Sequence, residues 1–267
     1  MALYHLILLA IVQGITEFLP ISSSGHLILL PNVIGAEDQG QLLDVAVHVG
    51  TLGAVILYFW SDVKNALSGT PRMLRGNISD PDSRLAFLLT IATIPTILFG
   101  LFLAISGIDD MLRSIAVIGW TMLGFGIVLW WMDQRGATTK HSKEWSLKDA
   151  TIMGLWQAIA LIPGTSRSGI TITGARALGY DRESSARLAM LMSIPTILAS
   201  GGYLLMENGF SITADQALDL AIAAALAFAS ALLALKLMMR LLQSLSFTPY
   251  VIYRIILGVI LLAIAYS

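Results

Sequence analysis

Cysteine is absent from the 267 residues, which excludes disulfides and thiolate metal sites without indicating a compartment. Charge is scarce as well. Only 12% of the chain is Asp, Glu, Lys or Arg, against about 25% in an ordinary soluble domain. Hydrophobic residues make up 56% and the mean hydropathy is +0.78, so the composition is that of an integral membrane protein. Neither sign of charge dominates: 16 Lys and Arg face 17 Asp and Glu, a formal net charge of -1. That balance gives no electrostatic reason to expect a nucleic-acid partner. Nor does Lys or Arg precede the first apolar stretch, which carries Gln13 and Glu17 inside it. A cleaved signal peptide would need that basic start.

Crossing a bilayer as a helix takes roughly 20 apolar residues. Such runs are read at about 44 to 60, 85 to 105, 114 to 132, 184 to 205, 215 to 236 and 249 to 267. Two further apolar stretches, 1 to 34 and 149 to 178, are interrupted midway by Pro, Gly and a cluster of Ser or Thr, with Glu17, His26 or Arg167 beside the break. Neither reads as a simple crossing.

Lys and Arg in short loops mark the cytoplasmic side. Segments 61 to 84, 133 to 148, 176 to 187 and 236 to 248 hold 13 of the 16 basic residues. Segments 1 to 43 and 206 to 215 hold none, and 106 to 113 has only Arg113, next to Asp109 and Asp110. Six crossings that alternate between these two sets close only if each broken stretch enters and leaves on one face, the first from outside and the second from inside. The expectation is an all-α polytopic membrane protein with six transmembrane helices and two re-entrant helix-turn-helix hairpins.

An internal repeat points the same way. QGITEFLPISSSG at 13 to 25 aligns without gaps on QAIALIPGTSRSG at 157 to 169, an offset of 144 residues, 157 less 13. Residues 1 to 267 are then one membrane domain made of two halves. Residues 1 to 132 form hairpin 1 to 34 plus three spans, and residues 149 to 267 form hairpin 149 to 178 plus three spans. An odd number of spans turns the second half upside down, giving an inverted-topology repeat. The pentapeptide IPTIL, at 94 to 98 and 194 to 198, is out of register with that repeat and reads as two similar proline-bearing helices.

Non-helical backbone at membrane depth is tolerated only when buried in protein or lining a watery cavity. The two hairpin tips are therefore expected to meet near the midplane. There the second helix of each hairpin would present unpaired N–H groups and the positive end of its dipole. With Ser, Thr and Arg side chains added, the place suits a phosphate. Arg167 at a helix centre costs about 2.5 to 3.5 kcal/mol on insertion scales, which argues for an anionic partner.

Gln13 and Glu17 followed by FLPISSSGH, together with PGTSRSGIT at 163 to 171, resemble the bacitracin-resistance family of undecaprenyl-diphosphate phosphatases. That family's signatures, (E/Q)xxxE and PGxSRSxxT, both match in full. The second is highly specific; the first is common on any helix. The resemblance runs the whole chain, including SFTPYVIYR at 246 to 254. It implies an enzyme of the plasma membrane that removes the terminal phosphate from a C55 polyprenyl diphosphate at the outer face, recycling the lipid carrier of cell-wall synthesis. It also implies a divalent cation, Mg2+ or Ca2+. Gln13 stands where the family's first motif can carry a second glutamate, so a metal would find one carboxylate, Glu17, an amide oxygen and phosphate oxygens.

Hydrolysing a phosphoanhydride calls for charge neutralisation, an in-line nucleophile and a proton for the leaving group. Arg167 is the candidate phosphate clamp, assisted by Ser166, Ser168 and Thr171. Arg254, inside the last span, is either a second clamp or a side chain reaching for the inner interface. Ser23 is the favoured nucleophile, with Ser22 and Ser24 as rivals, and Glu17 is its base or a metal ligand. Serines in such a hairpin also serve simply to satisfy freed backbone groups. His26, roughly one helical turn beyond Ser23, would protonate the leaving group or attack itself. Among the other histidines, His5 and His141 read as interface or loop residues, and His48, four after Asp44, as a residue behind the site.

A C55 tail cannot enter an aqueous pocket, so the site has to open sideways to the lipid. Partners would then be the polyprenyl diphosphate and membrane lipids. Paired broken hairpins are equally a transporter device, which keeps a carrier or flippase for a phosphorylated lipid or anion as the main alternative. A non-catalytic binder of the same lipid is a third. Against both stands the dense Glu, Ser, His and Arg cluster, since transport and binding need no nucleophile.

Overall fold

The computed structural model describes residues 3–34, 40–208 and 213–267. Among them the chain is helical throughout and forms no strand, only an isolated bridge between Lys140 and Tyr180. The helices are α1 (Leu3–Phe18), α2 (Ser23–Ile34), α3 (Gln41–Tyr58), α4 (Trp60–Leu74), α5 (Pro81–Ser106), α6 (Asp109–Leu112), α7 (Ile115–Arg135), α8 (Leu147–Ala158), α9 (Arg167–Ala177), α10 (Arg182–Asn208), α11 (Ala214–Leu241) and α12 (Thr248–Tyr266). Short 3-10 turns occupy Ser142–Glu144 and Ile159–Leu161.

Five of these are long and apolar enough to cross a membrane: α3, α5, α7, α12 and the Gln216–Leu241 part of α11. The architecture is that of a multi-pass membrane protein. The remaining expected span, 184 to 205, lies within α10, a 27-residue helix that opens with Arg182 and Glu183. Both broken stretches are helix-turn-helix units, α1–α2 and α8–α9.

Helix boundaries follow local chemistry. Pro81 sits at the start of α5, where its missing N–H costs nothing, and the Asp80 carboxylate accepts from the backbone N–H of Asp82 and Ser83. Arg72 grips the same carboxylate through Nε and Nη2 at 3.0 and 2.9 Å. Those bonds, the one from Arg72 foremost, hold Asp80 well below the usual carboxylate range. Gly107 ends α5 in the left-handed region, φ 67°, which only glycine enters freely.

The basic segment 61 to 84 was expected to be a connection; most of it is α4. Gly69 is buried there, and a Cβ on it would come within 2.2 Å of the Asp82 carbonyl carbon. That absent side chain lets α4 lie on the start of α5. No long apolar run marks such a helix, so hydropathy alone passes over it.

Lipid tails are as apolar as leucine, so helices in a bilayer associate through close packing more than through hydrophobic burial. α11 packs against α1 and α3, and α7 against α12. At each seam a glycine permits the approach. A Cβ on Gly14 would meet Ser230 Oγ at 1.9 Å, and one on Gly50 the Ala224 carbonyl at 2.2 Å. The IPTIL recurrence also finds a reason. Thr96 of α5 and Thr196 of α10 converge on one buried side chain, Gln157, whose Nε2 lies 3.3 and 2.9 Å from their hydroxyls.

Gly50→Val is expected to force α3 and α11 apart and to lower stability in detergent by about 1 to 3 kcal/mol or more, the usual range for overpacking. Gly124→Ala, where nothing lies within 4 Å, is the neutral control. Equal thermal unfolding of the two variants would count against this account of the seam.

Candidate active site

Both hairpins turn on a serine in a conformation that serines avoid. Ser22 has φ 73° and Ser166 φ 70°, the two non-glycine residues with positive φ among those described, and they stand 144 positions apart. Each costs of order 1 to 3 kcal/mol unless its surroundings compel it. The compensation is local. Ser22 Oγ accepts from Gly25 N at 3.3 Å and Ser166 Oγ from Gly169 N at 3.1 Å, so each hydroxyl caps the helix it precedes. Each also bonds the hydroxyl two residues on, Ser24 at 3.3 Å and Ser168 at 3.2 Å. The second arms start at Ser23 and Arg167, as the serine clusters predict.

The two turns touch. Ser168 Oγ donates to the Leu19 carbonyl at 2.9 Å, and Thr121 Oγ1 of α7 to the Pro163 carbonyl at 2.6 Å. Arg254 ties both to the same point. Its guanidinium is 0% exposed and donates to the carbonyls of Pro20 in the first turn, Gly164 and Thr165 in the second, and Thr121 and Met122 of α7, at 2.9 to 3.4 Å. Of the two readings of this residue from sequence, clamp or interface seeker, neither anticipates a main-chain staple.

Glu17, at the end of α1, is the centre of the side-chain cluster. Its Oε2 accepts from Gln13 Nε2 at 2.7 Å and from Ser23 Oγ at 2.7 Å, and its Oε1 pairs with Arg167 Nη2 from the other hairpin. Arg167 Nη1 also reaches the Ser193 carbonyl of α10 at 3.3 Å. Both charges are largely withdrawn from solvent, the side chains being 4% and 17% exposed. A buried guanidinium here thus has a protein carboxylate as partner, where the sequence argues only for an anion of some kind. Removing one partner of such a pair leaves the other charge uncompensated, at a typical cost of about 3 to 5 kcal/mol.

The other expected residues divide. Ser24 is exposed at the rim, and Ser23 is half-buried between rim and Glu17. Thr171 is buried one turn beyond Arg167, and its hydroxyl lacks a bonding partner. His26 turns away from Glu17: Nδ1 lies 2.6 Å from the Ser22 carbonyl and Nε2 2.6 Å from the Tyr253 hydroxyl. A carbonyl only accepts, so Nδ1 carries the proton, and Nε2 of the neutral ring accepts from the phenol.

Two residues outside the expected core belong to this neighbourhood. His48 of α3 brings Nε2 to 3.7 Å from Glu17 Oε2 while Nδ1 donates to the Asp44 carbonyl at 2.7 Å. The i, i+4 spacing from Asp44 marked it, though as a bystander. Tyr253 of α12 carried no signal beyond standing next to Arg254.

Among the described residues no group of three or more His, Asp or Glu could hold a metal. Glu17 is the lone carboxylate of the cluster and already takes three donors, so a site made of protein alone does not fit. The Gln13 carbonyl oxygen, buried and without a partner, beside Glu17 fits a cation that draws its other ligands from phosphate.

A family model described as bacitracin resistance protein BacA matches residues 6–260. Among curated proteins, the undecaprenyl-diphosphatase of Jannaschia sp. (strain CCS1) is 72% identical over the full length of both chains, and that of Ruegeria pomeroyi 66%, also full length. The undecaprenyl-diphosphatase of Teredinibacter turnerae is 46% identical over 98% of each chain.

Replacing Arg254 by leucine would strip donors from carbonyls in both turns, at about 1 to 3 kcal/mol for each that water does not reach. Arg254→Leu is therefore expected to melt well below the parent in detergent. Arg254→Lys, which keeps the charge but not the fork, should fall between them. A parent-like unfolding curve for the leucine variant would remove Arg254 from this role.

Proposed function

The chain belongs to the bacitracin resistance protein BacA family, and from that premise we propose that it hydrolyses undecaprenyl diphosphate to the monophosphate and inorganic phosphate. We place the reaction at the outer face of the plasma membrane, where it recycles the lipid carrier of cell-wall synthesis. One observation carries the chemistry: Ser23, Glu17 and Arg167 form an unbroken hydrogen-bonded chain across the two hairpins. A hydroxyl bonded to a carboxylate is a nucleophile with its base, and the guanidinium beside it is an oxyanion partner.

In this reading Glu17 takes the Ser23 proton as Oγ bonds to the terminal phosphorus. The bridging P–O bond breaks and the lipid monophosphate leaves with that electron pair. Glu17 passes that proton to the departing monophosphate and is a carboxylate again; it then takes a proton from the water that attacks the phosphoserine and hands it to Ser23 Oγ as the Oγ–P bond breaks, releasing inorganic phosphate. Arg167 and the free N–H groups opening α2 and α9 neutralise the equatorial oxygens, with Ser24 and Thr171 as further donors, while Ser168 holds the Leu19 carbonyl of the other turn. Ser23 is preferred over its neighbours because Ser22 Oγ is engaged as a helix cap and with Ser24. His26 stands at the lipid-facing edge where the leaving monophosphate departs. A divalent cation, held by Glu17, the Gln13 carbonyl and phosphate oxygens, would add charge neutralisation there.

The topology that goes with this is six crossings and two re-entrant hairpins in an inverted repeat. The hairpin helices support it. The longest, α1, has 16 residues, about 24 Å at 1.5 Å per residue and short of the roughly 30 Å hydrocarbon core. Packing is mirrored too: α1 lies on α11 as α8 lies on α5. A carrier would share this topology, so the discriminating test has no sealed compartment.

Purified protein in detergent is expected to release phosphate from undecaprenyl diphosphate; none across several divalent ions would favour the carrier. Arg167→Ala and Glu17→Ala should each lower turnover by about 100- to 1,000-fold, the range for lost transition-state contacts, and wild-type rates in either would refute its role. Radiolabelled terminal phosphate should be trapped on the wild-type protein and not on Ser23→Ala; no trapped label in either points to direct attack by water. Chelation followed by Mg2+ or Ca2+ should lower and then restore turnover.

A further inference from the structure

The diphosphate can meet Glu17 and Arg167 only if its C55 tail lies in lipid, so the site needs a side opening. We propose that this opening is the seam between α2 and α12, that the His26–Tyr253 hydrogen bond latches it, and that the tail lies along the lipid-facing side of α12. This rests on the reading of the substrate given above.

Three observations locate it. First, the rim is one-sided. Ser166, Ser168 and Thr171 are buried, whereas Ser23 and His26 are half-buried and Ser24 is exposed, so the cluster opens along α2.

Second, the two hairpins are packed differently. In the second, α9 packs against α7 and α10 as well as α8. In the first, α2 lies on α1 among the described residues. Its side chains split between two separate apolar clusters. Leu27 joins Leu6, Leu9, Leu43 and Ala223 of α1, α3 and α11, while Ile28 and Leu29 pack on Ile118, Met122 and Leu261 of α7 and α12. The described part of α2 is therefore a wedge between two helix groups, and its face toward α12 is Ile28 and Leu29.

Third, the link across that seam is polar in a place facing lipid. The His26 and Tyr253 rings stack at 5.6 Å and share a 2.6 Å hydrogen bond, with Tyr253 43% exposed. A single neutral hydrogen bond between membrane helices is a modest tie, so it closes the seam without locking it. From Ile252, next to Tyr253, the exposed residues Ile252, Ile256 and Ile260 recur every fourth position on α12, one continuous apolar stripe beginning at the rim.

The absence of native cysteine gives a clean test. Leu29→Cys with Leu257→Cys puts one thiol on each side of the seam, both against the α7–α12 cluster. Before cross-linking, this variant should hydrolyse undecaprenyl diphosphate at the parent rate, which tests the hydrolase reading by itself. After a short bis-maleimide bridges the thiols, turnover should fall at least tenfold. In parallel, a polyprenyl diphosphate with a photoreactive tail should label α2 and α12, around Ile252 and Ile256, in the free protein and lose that labelling in the bridged one. Undiminished turnover after bridging, label concentrated on other helices, or label that survives the bridge would each overturn the proposal, whatever the outcome for hydrolysis.

Discussion

A helix that stops inside the protein leaves carbonyls and N–H groups with no water to receive them, and the rest of this structure is organised around that constraint. Two such stops occur, and Arg254 answers for both. One planar guanidinium fans its donors over carbonyls of Pro20, Gly164 and Thr165, and so holds the two turns together alongside the Ser168–Leu19 bond. Lysine could not do this, since its ammonium is compact and lacks the fork. The bonds to Thr121 and Met122 pin the junction to α7 as well. With the turns fixed, the strained backbone of Ser22 and Ser166 becomes sustainable, and the helix starts that follow them aim at one place.

What sits in that place is a second compensation of the same kind. Glu17 and Arg167 come from different hairpins and neutralise each other, so the pair itself buries no net charge. The pair is nonetheless asymmetric in its surroundings. Glu17 is crowded by Gln13, Ser23 and His48, which hold it in one orientation. Arg167 has a backbone carbonyl on its other arm and is the freer of the two to meet an incoming anion. A resting pair that an anionic substrate can divide suits a site that handles phosphate in low dielectric, where an unpaired guanidinium would be costly.

The two helix-turn-helix units differ in chemistry while sharing a local frame, a serine of positive φ ahead of each second helix. Gln13 and Gln157 are both fully buried at equivalent positions, yet Gln13 serves the carboxylate of the site and Gln157 serves Thr96 and Thr196, a purely structural junction. Glu17 corresponds at the same offset to Leu161, and Ser23 to Arg167. One hairpin thus carries the hydroxyl and the carboxylate, the other the guanidinium. The difference extends to packing, for the cationic hairpin is enclosed by helices and the other is a wedge against α12.

Much of this was legible before any coordinates. Apolar runs of bilayer length gave the long helices, because hydropathy is a local property of the chain. The serine clusters gave the starts of α2 and α9, because a hydroxyl ahead of a helix caps it whatever the fold. Motif matches singled out Glu17, Ser23 and Arg167. The helix α4 was not legible, since it stands on a glycine that touches α5 and not on an apolar run. Nor was the partner of Arg167, the turn of His26 toward Tyr253, or the staple made by Arg254. Each joins residues far apart in the chain, up to 234 positions for Arg254 and Pro20, and no periodicity reports such a distance. The sequence by itself determined where the backbone would be helical and where it would break, for those follow from side chains within a turn or two. Which freed carbonyl met which buried donor was decided only when the helices packed, because that pairing is a property of space and not of spacing.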